Sequence, residues 1–245
     1  MESELDAWAD RGRAASFWWR DDDAVSQSPA LSRLLGIASD NDTGIAIAVI
    51  PTGAGDELLD GQAWPRGARL LQHGLSHRNH APAGEKKAEF GPHRPLETMI
   101  KDIRSGIDRL GSASRFFAAF VPPWNRISPE VVGRLAELGH RGVSTHGPRR
   151  ARHPFPGLVQ SNTHVDPIDW RGGRGYVGDE VVLDQVISHL RARRDCRVDE
   201  HEPTGLLTHH LVHDSDCWAF IDRFVRLIRQ HAGAAWLDVE EVFAA

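Results

Sequence analysis

Two histidines four residues apart follow a short apolar run in the segment LLQHGLSHRNHAP, residues 70–82. In a helix or a tight turn, the rings of His73 and His77 would share one face. Two imidazoles provide part of a divalent metal's ligand set, and a carboxylate is the usual third ligand. An isolated buried histidine is more often a hydrogen-bonded core residue. A metal site therefore also requires a carboxylate from elsewhere in the chain.

A run of three aspartates, residues 21–23, follows the apolar segment 14–19 after a single arginine, Arg20. Three adjacent carboxylates repel one another, which raises their pKa values unless a cation lies nearby. The alternative is an exposed acidic cap at the N-terminus of a helix. Two tryptophans just before the run indicate a buried approach, which favours the cation. We therefore expect one of these aspartates to meet His73 and His77.

A site of two histidines and one carboxylate is suited to hydrolysis. An ion with an open coordination position polarises a water molecule and lowers its pKa toward about 7. A second aspartate beside the ligand would accept the water's proton. A histidine on another loop would protonate the leaving group, and the segment THH at 208–210 offers one.

Short apolar runs alternate with helical patterns along the chain, which predicts a parallel sheet or a barrel of about eight strands and about six helices. The clearest strand patterns are 14–19, 44–50, 68–72, 115–121, 141–145, 157–165 and 204–209. The helical patterns are 30–39, 95–110, 128–139, 179–194 and 216–232. For the helix at 128–139, we predict Ser128 as the N-cap and Gly139 as the stop.

Unusual polar clusters follow six of the predicted strands. They occupy residues 20–23, 73–77, 122–126, 144–146, 164–170 and 209–214. In parallel α/β folds the active residues lie at the carboxyl ends of the strands. The clusters are therefore expected to meet at one edge of the sheet.

This constellation resembles the polysaccharide deacetylase superfamily, the NodB-homology or carbohydrate esterase family 4 type. The family's first motif, T-F-D-D-G, is similar to WRDDD. With the motif aligned on the strand, the resemblance implies that Asp21 is the base and Asp22 the metal ligand, with Asp23 where glycine is usual. A shift of one residue would give these roles to Asp22 and Asp23. The second motif, H-[ST]-x-x-H, matches His73 and His77 as the other metal ligands.

The third motif, R-x-P-x-G or R-P-P-Y-G, is similar to VPPWN at 121–125. The resemblance implies that the Trp124 amide donates to the substrate oxyanion. The motif arginine is absent because the chain has Val121, and Arg20 or Arg126 could replace it.

The fourth motif resembles VDPIDW at 165–170, where Asp166 would support the acid and Trp170 would line the pocket. The fifth motif, L-x-H, matches 207–209 and implies that His209 is the acid, with His210 in reserve. The substrate-binding residues implied by the resemblance are Trp124, Asn125, Arg126, Asp166, Trp170 and His210.

The resemblance covers residues 16–214 and implies a distorted (β/α) barrel of about seven or eight parallel strands. It implies a hydrolase that uses a divalent metal, with zinc expected, to deacetylate an N-acetylated sugar or glycan. Two alternatives remain open: cleavage of another C–N bond in a small cytosolic amide, and a non-catalytic carbohydrate-binding relative. Departures from the motifs at Val121, Gly74 and Asp23 indicate a divergent branch.

The composition of the chain excludes several classes of partner and favours one domain. The chain has 245 residues, a net charge of −5 and 40% hydrophobic residues, which suits one domain over 1–245. Its acidity disfavours a nucleic-acid partner. The sequence shows no apolar leader and no apolar segment long enough for a membrane helix, so we expect no membrane partner. It also has only two cysteines, and together these features predict a cytoplasmic location. The composition does not indicate an oligomeric state.

A long polar loop at 81–95 lies beside the predicted metal ligands. It is either a plain solvated loop or a substrate lid. In the second case Lys86, Lys87 or Arg94 would meet an anionic group.

Overall fold

The computed structural model describes residues 1–61 and 64–244. The strands in these ranges are β1 (Ala15–Ala24), β2 (Ile45–Val49), β3 (Ala68–His73), β4 (Phe116–Val121), β5 (Gly142–Val143), β6 (Val159–Gln160), β7 (Thr204–Thr208) and β8 (Ala234–Trp236). The α-helices are α1 (Glu2–Ala9), α2 (Pro29–Asp40), α3 (Asp56–Asp60), α4 (Leu96–Leu110), α5 (Pro129–Val132), α6 (Asp179–Arg194), α7 (Ser215–Gln230) and α8 (Val239–Val242).

All neighbouring strands of the single sheet are parallel, in the order β6-β5-β4-β3-β2-β1-β7, and β8 pairs with the first residues of β1. Beyond β6 the chain bends toward the opposite edge. The Ser161 amide donates to Val143, and the Leu207 amide donates to Val165. The sheet therefore curls into a distorted barrel, and the prediction of seven or eight parallel strands in a (β/α) barrel is confirmed.

The central strands are buried on both faces. All five residues of β2 are buried, as expected for a parallel strand covered by helices. In β1, Phe17 packs edge-on against Phe224 of α7, whereas Trp18 packs edge-on against Phe243. Side chains of neighbouring strand residues point to opposite faces, so β1 is anchored in both halves of the core.

The predicted helices at 30–39, 95–110, 179–194 and 216–232 correspond to α2, α4, α6 and α7. Two of them begin with a side-chain cap. Ser28 accepts a hydrogen bond from the Leu31 amide before α2, and Asp214 accepts one from the Cys217 amide before α7. None of the helices within 1–61 and 64–244 has the length and apolarity needed to cross a bilayer.

The helix predicted at 128–139 is much shorter than its pattern. It ends at Val132, and the Ser128 side chain makes no capping hydrogen bond. Beyond Val132 the chain continues as turns, with bonds such as Arg134 N–H to Val131 and Leu135 N–H to Val132. Hydrogen bonds between residues three apart, as in a 3₁₀-helix, thus replace the hydrogen bonds between residues four apart of an α-helix.

Burial of His140 should make folding sensitive to acid. This side chain is 1% exposed, packs against Phe120, and burial lowers its pKa to about 4. The unfolded chain takes up this proton near pH 6.5, so stability falls as the pH drops from 6.5 toward 4. In urea unfolding, we expect His140→Leu to reduce the loss of stability between pH 7.5 and pH 5 by about 2 kcal/mol.

The control for this experiment is His201→Leu, because His201 is exposed. It should leave the loss between the two pH values unchanged. An equal loss in wild type and His140→Leu would contradict the prediction.

Candidate active site and metal centre

A cleft of about 1240 Å³ opens at the carboxyl edge of the sheet, where β1, β3, β4 and β7 end. Most of the residues selected from the sequence line this cleft. They are Asp22, His73, His77, Trp124, Asn125, Arg126, Asp166, Trp170 and His209. The parallel direction of the strands brings these distant segments together.

Asp23, not Asp22, lies beside the two imidazoles. One Asp23 carboxylate oxygen is 3.1 Å from Nε2 of His73 and 3.3 Å from Nε2 of His77. The ligand atoms of the three residues all lie within 4.8 Å of one another, as expected for a shared ion. The geometry thus brings together the ligands of the shifted register.

The backbone of Asp23 explains why its side chain turns toward the histidines. Its φ is +73°, in the left-handed region, and the pairing of β1 with β2 shifts register between Asp21 and Ala24. Such a bulge re-aims a side chain relative to the regular alternation of a strand. Burial raises the Asp23 pKa, but hydrogen bonding and the charge of His73 outweigh burial and lower it overall.

The first histidine is oriented as a metal ligand. Nδ1 of His73 lies 3.0 Å from the Val121 carbonyl oxygen, which can only accept, so Nδ1 carries the hydrogen. The lone pair of the neutral ring is then on Nε2, which faces Asp23. Burial lowers the His73 pKa, but the charges of Asp22 and Asp23 and the Asp23 hydrogen bond raise it overall.

The second histidine approaches through a tight turn rather than a helix. Gly74 and His77 have φ values of +59° and +52°, and the two histidine rings are 5.3 Å apart. The amide and hydroxyl of Ser76 both donate to the Glu89 carboxylate. A Cβ at position 74 would collide with Glu89 and with Pro123, so the turn requires the glycine found there.

Glu89 was not among the residues selected from the sequence. It is 1% exposed and stabilises the turn that carries His77. It lies inside the polar loop 81–95, where no motif distinguishes it from its charged neighbours.

Burial and the charge of His73 lower the pKa of His77, which favours its neutral form.

Asp22 is held by Arg20 instead of contributing to the cluster. The guanidinium Nε and Nη2 donate to the two Asp22 oxygens at 2.8 and 3.0 Å, a bidentate pair that is almost fully buried. Arg20 also donates to Ser144, Thr145 and Asn125. Of the two candidates to replace the arginine missing at 121, Arg20 is the one that reaches this carboxylate. Arg126 instead donates to the Lys87 carbonyl oxygen.

Asp21 and His210 do not line the cleft. Both are buried and paired with each other, because Asp21 accepts hydrogen bonds from Nδ1 and the amide of His210 and from the Thr208 hydroxyl. Burial raises the Asp21 pKa, but the charge of His210 lowers it overall. Because Asp21 is fully buried and does not line the cleft, its carboxylate is out of reach of a water bound there. His210 cannot touch a substrate for the same reason.

His209 forms the opposite wall with Trp170. Their rings are 4.6 Å apart in an edge-to-face contact. The Trp170 indole N–H donates to Asp166 at 2.8 Å, and the Ile168 amide donates to the other carboxylate oxygen. Asp166 therefore positions Trp170, which in turn packs against His209.

Trp124 lines the cleft, and its backbone amide is not used in a hydrogen bond within the described residues. The φ of Trp124 is +56°. The Trp124 ring lies 4.2 Å from the His77 ring, next to the metal cluster. An unsatisfied amide at this position can stabilise a negative charge on a bound carbonyl oxygen.

A second group of potential ligands, His164, His189 and Glu202, has the wrong tautomer for a metal. The Gly205 amide donates to Nδ1 of His164 at 3.1 Å, so the neutral ring carries its hydrogen on Nε2. That atom faces Glu202, 3.4 Å away. Burial lowers the His164 pKa well below 6.5, and burial raises that of Glu202 to about 7. This group is a buried cluster in which His189 of α6 meets the segments after β6 and before β7.

The sequence matches no known family profile and no curated protein. The fold does match solved structures. A family 4 carbohydrate esterase from Streptomyces lividans, in complex with acetate, has 15% identity and a TM-score of 0.56, with 87% of this chain and 88% of that chain covered. A polysaccharide deacetylase structure from Mycobacterium smegmatis has 15% identity and a TM-score of 0.63, with 94% and 89% covered.

A pseudoenzyme of the same esterase family from Bacillus anthracis has 14% identity and a TM-score of 0.59, with 93% of this chain and 65% of that chain covered. The chain has the fold of the polysaccharide deacetylases. This likeness includes both active and inactive proteins, so the function depends on the residues of the cleft.

Substitution of single aspartates should identify the metal ligand. We expect Asp23→Asn to weaken zinc binding by more than the ~10- to 100-fold typical of losing an outer-shell partner, because a direct ligand is lost. Asp22→Asn and His164→Gln should retain stoichiometric zinc. Competition with a chelator, followed by plasma emission analysis, measures this. Zinc loss in Asp22→Asn with retention in Asp23→Asn would contradict the assignment.

Proposed function

We propose that this chain is a metal-dependent amide hydrolase that removes an N-acyl group, acetyl in the first instance, from a sugar. The observation that carries the proposal is the clustering of Asp23, His73 and His77 in a cleft that also contains Asp22 and His209. A ligand set, a second carboxylate and an imidazole are the groups that such a hydrolysis needs.

The donor set suits a divalent ion such as zinc, which binds imidazole nitrogen and carboxylate oxygen and keeps an open position in catalytic sites. Asp23, His73 and His77 would hold it, and the orientation of His73 by Val121 favours ligation through Nε2. The bound ion would supply Lewis acidity, which polarises a carbonyl group and makes a water molecule more acidic.

Asp22 is the base in this proposal. Its carboxylate lines the cleft and accepts the proton of the attacking water as the water oxygen bonds to the amide carbon. Arg20 fixes the carboxylate through two hydrogen bonds while Asn125 and Ser144 hold the guanidinium. The base therefore keeps one orientation during the reaction.

Two further groups complete the reaction from opposite walls. The Trp124 amide donates to the oxygen that becomes negative when the carbonyl carbon turns tetrahedral. His209 gives a proton to the amine nitrogen as the C–N bond breaks, which releases a carboxylic acid and an amine. Trp170 keeps the His209 ring in place.

The walls of the cleft favour a sugar as the amine half of the substrate. Trp124 and Trp170 both line it, and Trp170 is 43% exposed. Exposed aromatic rings bind the apolar faces of ligands while their polar edges hydrogen-bond. The fold likeness to an esterase in complex with acetate supports the acetyl group as the leaving acid.

Acetate release from N-acetylated sugars by the zinc-loaded protein tests the proposal. We expect Asp22→Asn and His209→Gln each to lower turnover by about 10²- to 10⁴-fold, because each removes one proton transfer. Both variants should retain zinc. Arg20→Met should also lower turnover, since the base loses its fixed orientation.

Acetate release at the wild-type rate by both Asp22→Asn and His209→Gln would contradict the mechanism. Sugar binding with no product from any N-acetylated sugar or small amide would favour the non-catalytic alternative. Release of ammonia or an amine from small amides, without acetate from sugars, would favour cleavage of another C–N bond.

A further inference from the structure

Four cationic side chains line the cleft in addition to the groups of the proposed reaction. Lys87 and Arg126 lie on the wall that carries Trp124, and Arg171 and Arg174 lie in the segment that follows Trp170. The whole chain has a net charge of −5, so this concentration of positive charge does not reflect its composition.

These cations have no carboxylate partner within 1–61 and 64–244. Some arginines elsewhere in the described residues do have such a partner. Arg94 pairs with Asp102 at 2.6 Å, and Arg223 pairs with Asp179 at 2.9 Å. Other cations of the described residues without a carboxylate partner, such as Arg66 and Arg104, lie outside the cleft. The four cations differ from them because they all line one cavity.

The acids of the cleft itself do not neutralise the four cations. Asp22 is paired with Arg20, and Asp23 faces the two imidazoles. Asp166 accepts from the Trp170 indole and from a backbone amide. The four cations therefore remain available to bind a negatively charged group of a ligand in the cleft.

The cations stand next to the aromatic rings. Lys87 Nζ lies 6.0 Å from the centre of the Trp124 ring, and Arg126 donates to the Lys87 backbone carbonyl. On the other wall, Asp169 accepts from the Arg171 amide, and its carbonyl accepts from the Arg174 amide. Each wall thus has an aromatic ring, which can pack on the apolar face of a sugar, and a cation, which can bind a charged substituent of that sugar.

We propose that the substrate carries an oxyanion, a carboxylate or a phosphate, on the sugar that bears the N-acyl group. The sugar would lie between the tryptophans and its oxyanion would meet the cations of one or both walls. Guanidinium groups bind both kinds of oxyanion with two parallel hydrogen bonds. The inference rests on the proposed function for the N-acyl sugar. The preference for negative charge follows from the cations alone.

Titration calorimetry on the zinc-loaded protein tests the inference with three probes. N-acetylglucosamine is neutral, N-acetylmuramic acid adds a carboxylate, and phosphorylated N-acetylglucosamine adds a phosphate. At low salt, we expect at least one anionic probe to bind about tenfold or more tightly than the neutral sugar. The advantage should shrink as ionic strength rises, because three of the four cations, Lys87, Arg171 and Arg174, are exposed to solvent.

Paired substitutions identify the wall. Lys87→Gln with Arg126→Gln, or Arg171→Gln with Arg174→Gln, should reduce the preference for the anionic probe severalfold while neutral binding changes little. The matched control is Lys101→Gln with Arg104→Gln, two exposed cations on α4 that are not in the cleft. It removes the same charge and should leave the preference unchanged.

The outcomes separate this inference from the proposed function. Equal affinity for all three probes, or binding of none, overturns the inference, whether or not acetate is released. Loss of the preference in the α4 control as well would also overturn it, because the effect would then be one of net charge. Preferential binding of an anionic sugar without acetate release would support the inference and count against the hydrolase.

Discussion

The arrangement of the cleft at the carboxyl edge of the sheet depends on three consecutive carboxylates at the end of the buried strand β1, because each of them needs a partner. Each of the residues 21–23 has a different cationic or imidazole partner: the first pairs with His210, the second with Arg20, and the third with the two imidazoles of 73–77. An unpaired buried charge costs several kcal/mol, so loss of the partner of Asp21 or Asp22 would lower stability as well as disturb the site. The first and third pairs join β1 to the segments at the ends of β7 and β3, whereas the second pair lies within β1.

The same pairing accounts for the departures from the deacetylase motifs. In the proposed function, Arg20 on the strand of the aspartates takes the place of the arginine absent at position 121, because it donates two hydrogen bonds to Asp22. Val121 still contributes through its backbone, because its carbonyl orients His73. Gly74 allows a turn that Glu89 stabilises. These contacts hold the residues of the proposed reaction in the cleft by side chains other than those of the motifs, and they are our reason for proposing catalysis rather than simple binding.

Periodicity alone predicted most of the fold and the position of the cleft, because apolar strands with polar carboxyl ends leave a regular trace in the sequence. It could not assign the individual aspartates. The alternation of side chains between the two faces of a strand holds only where the backbone is regular. At Asp23 the φ of +73° interrupts this alternation, so the direction of its side chain could not be predicted. Likewise, His209 and His210 are neighbours, yet one lines the cleft and the other is buried against β1, a difference set by tertiary contacts. Glu89 lies in a loop without any periodic pattern.

The division of roles between Asp22 and Asp23 is the central claim, and anomalous X-ray diffraction at the zinc absorption edge tests it most directly. The account predicts one strong peak bonded to Asp23, His73 and His77, with Asp22 still held by Arg20. A peak bonded to Asp22, or one centred on His164 and away from these residues, would contradict it.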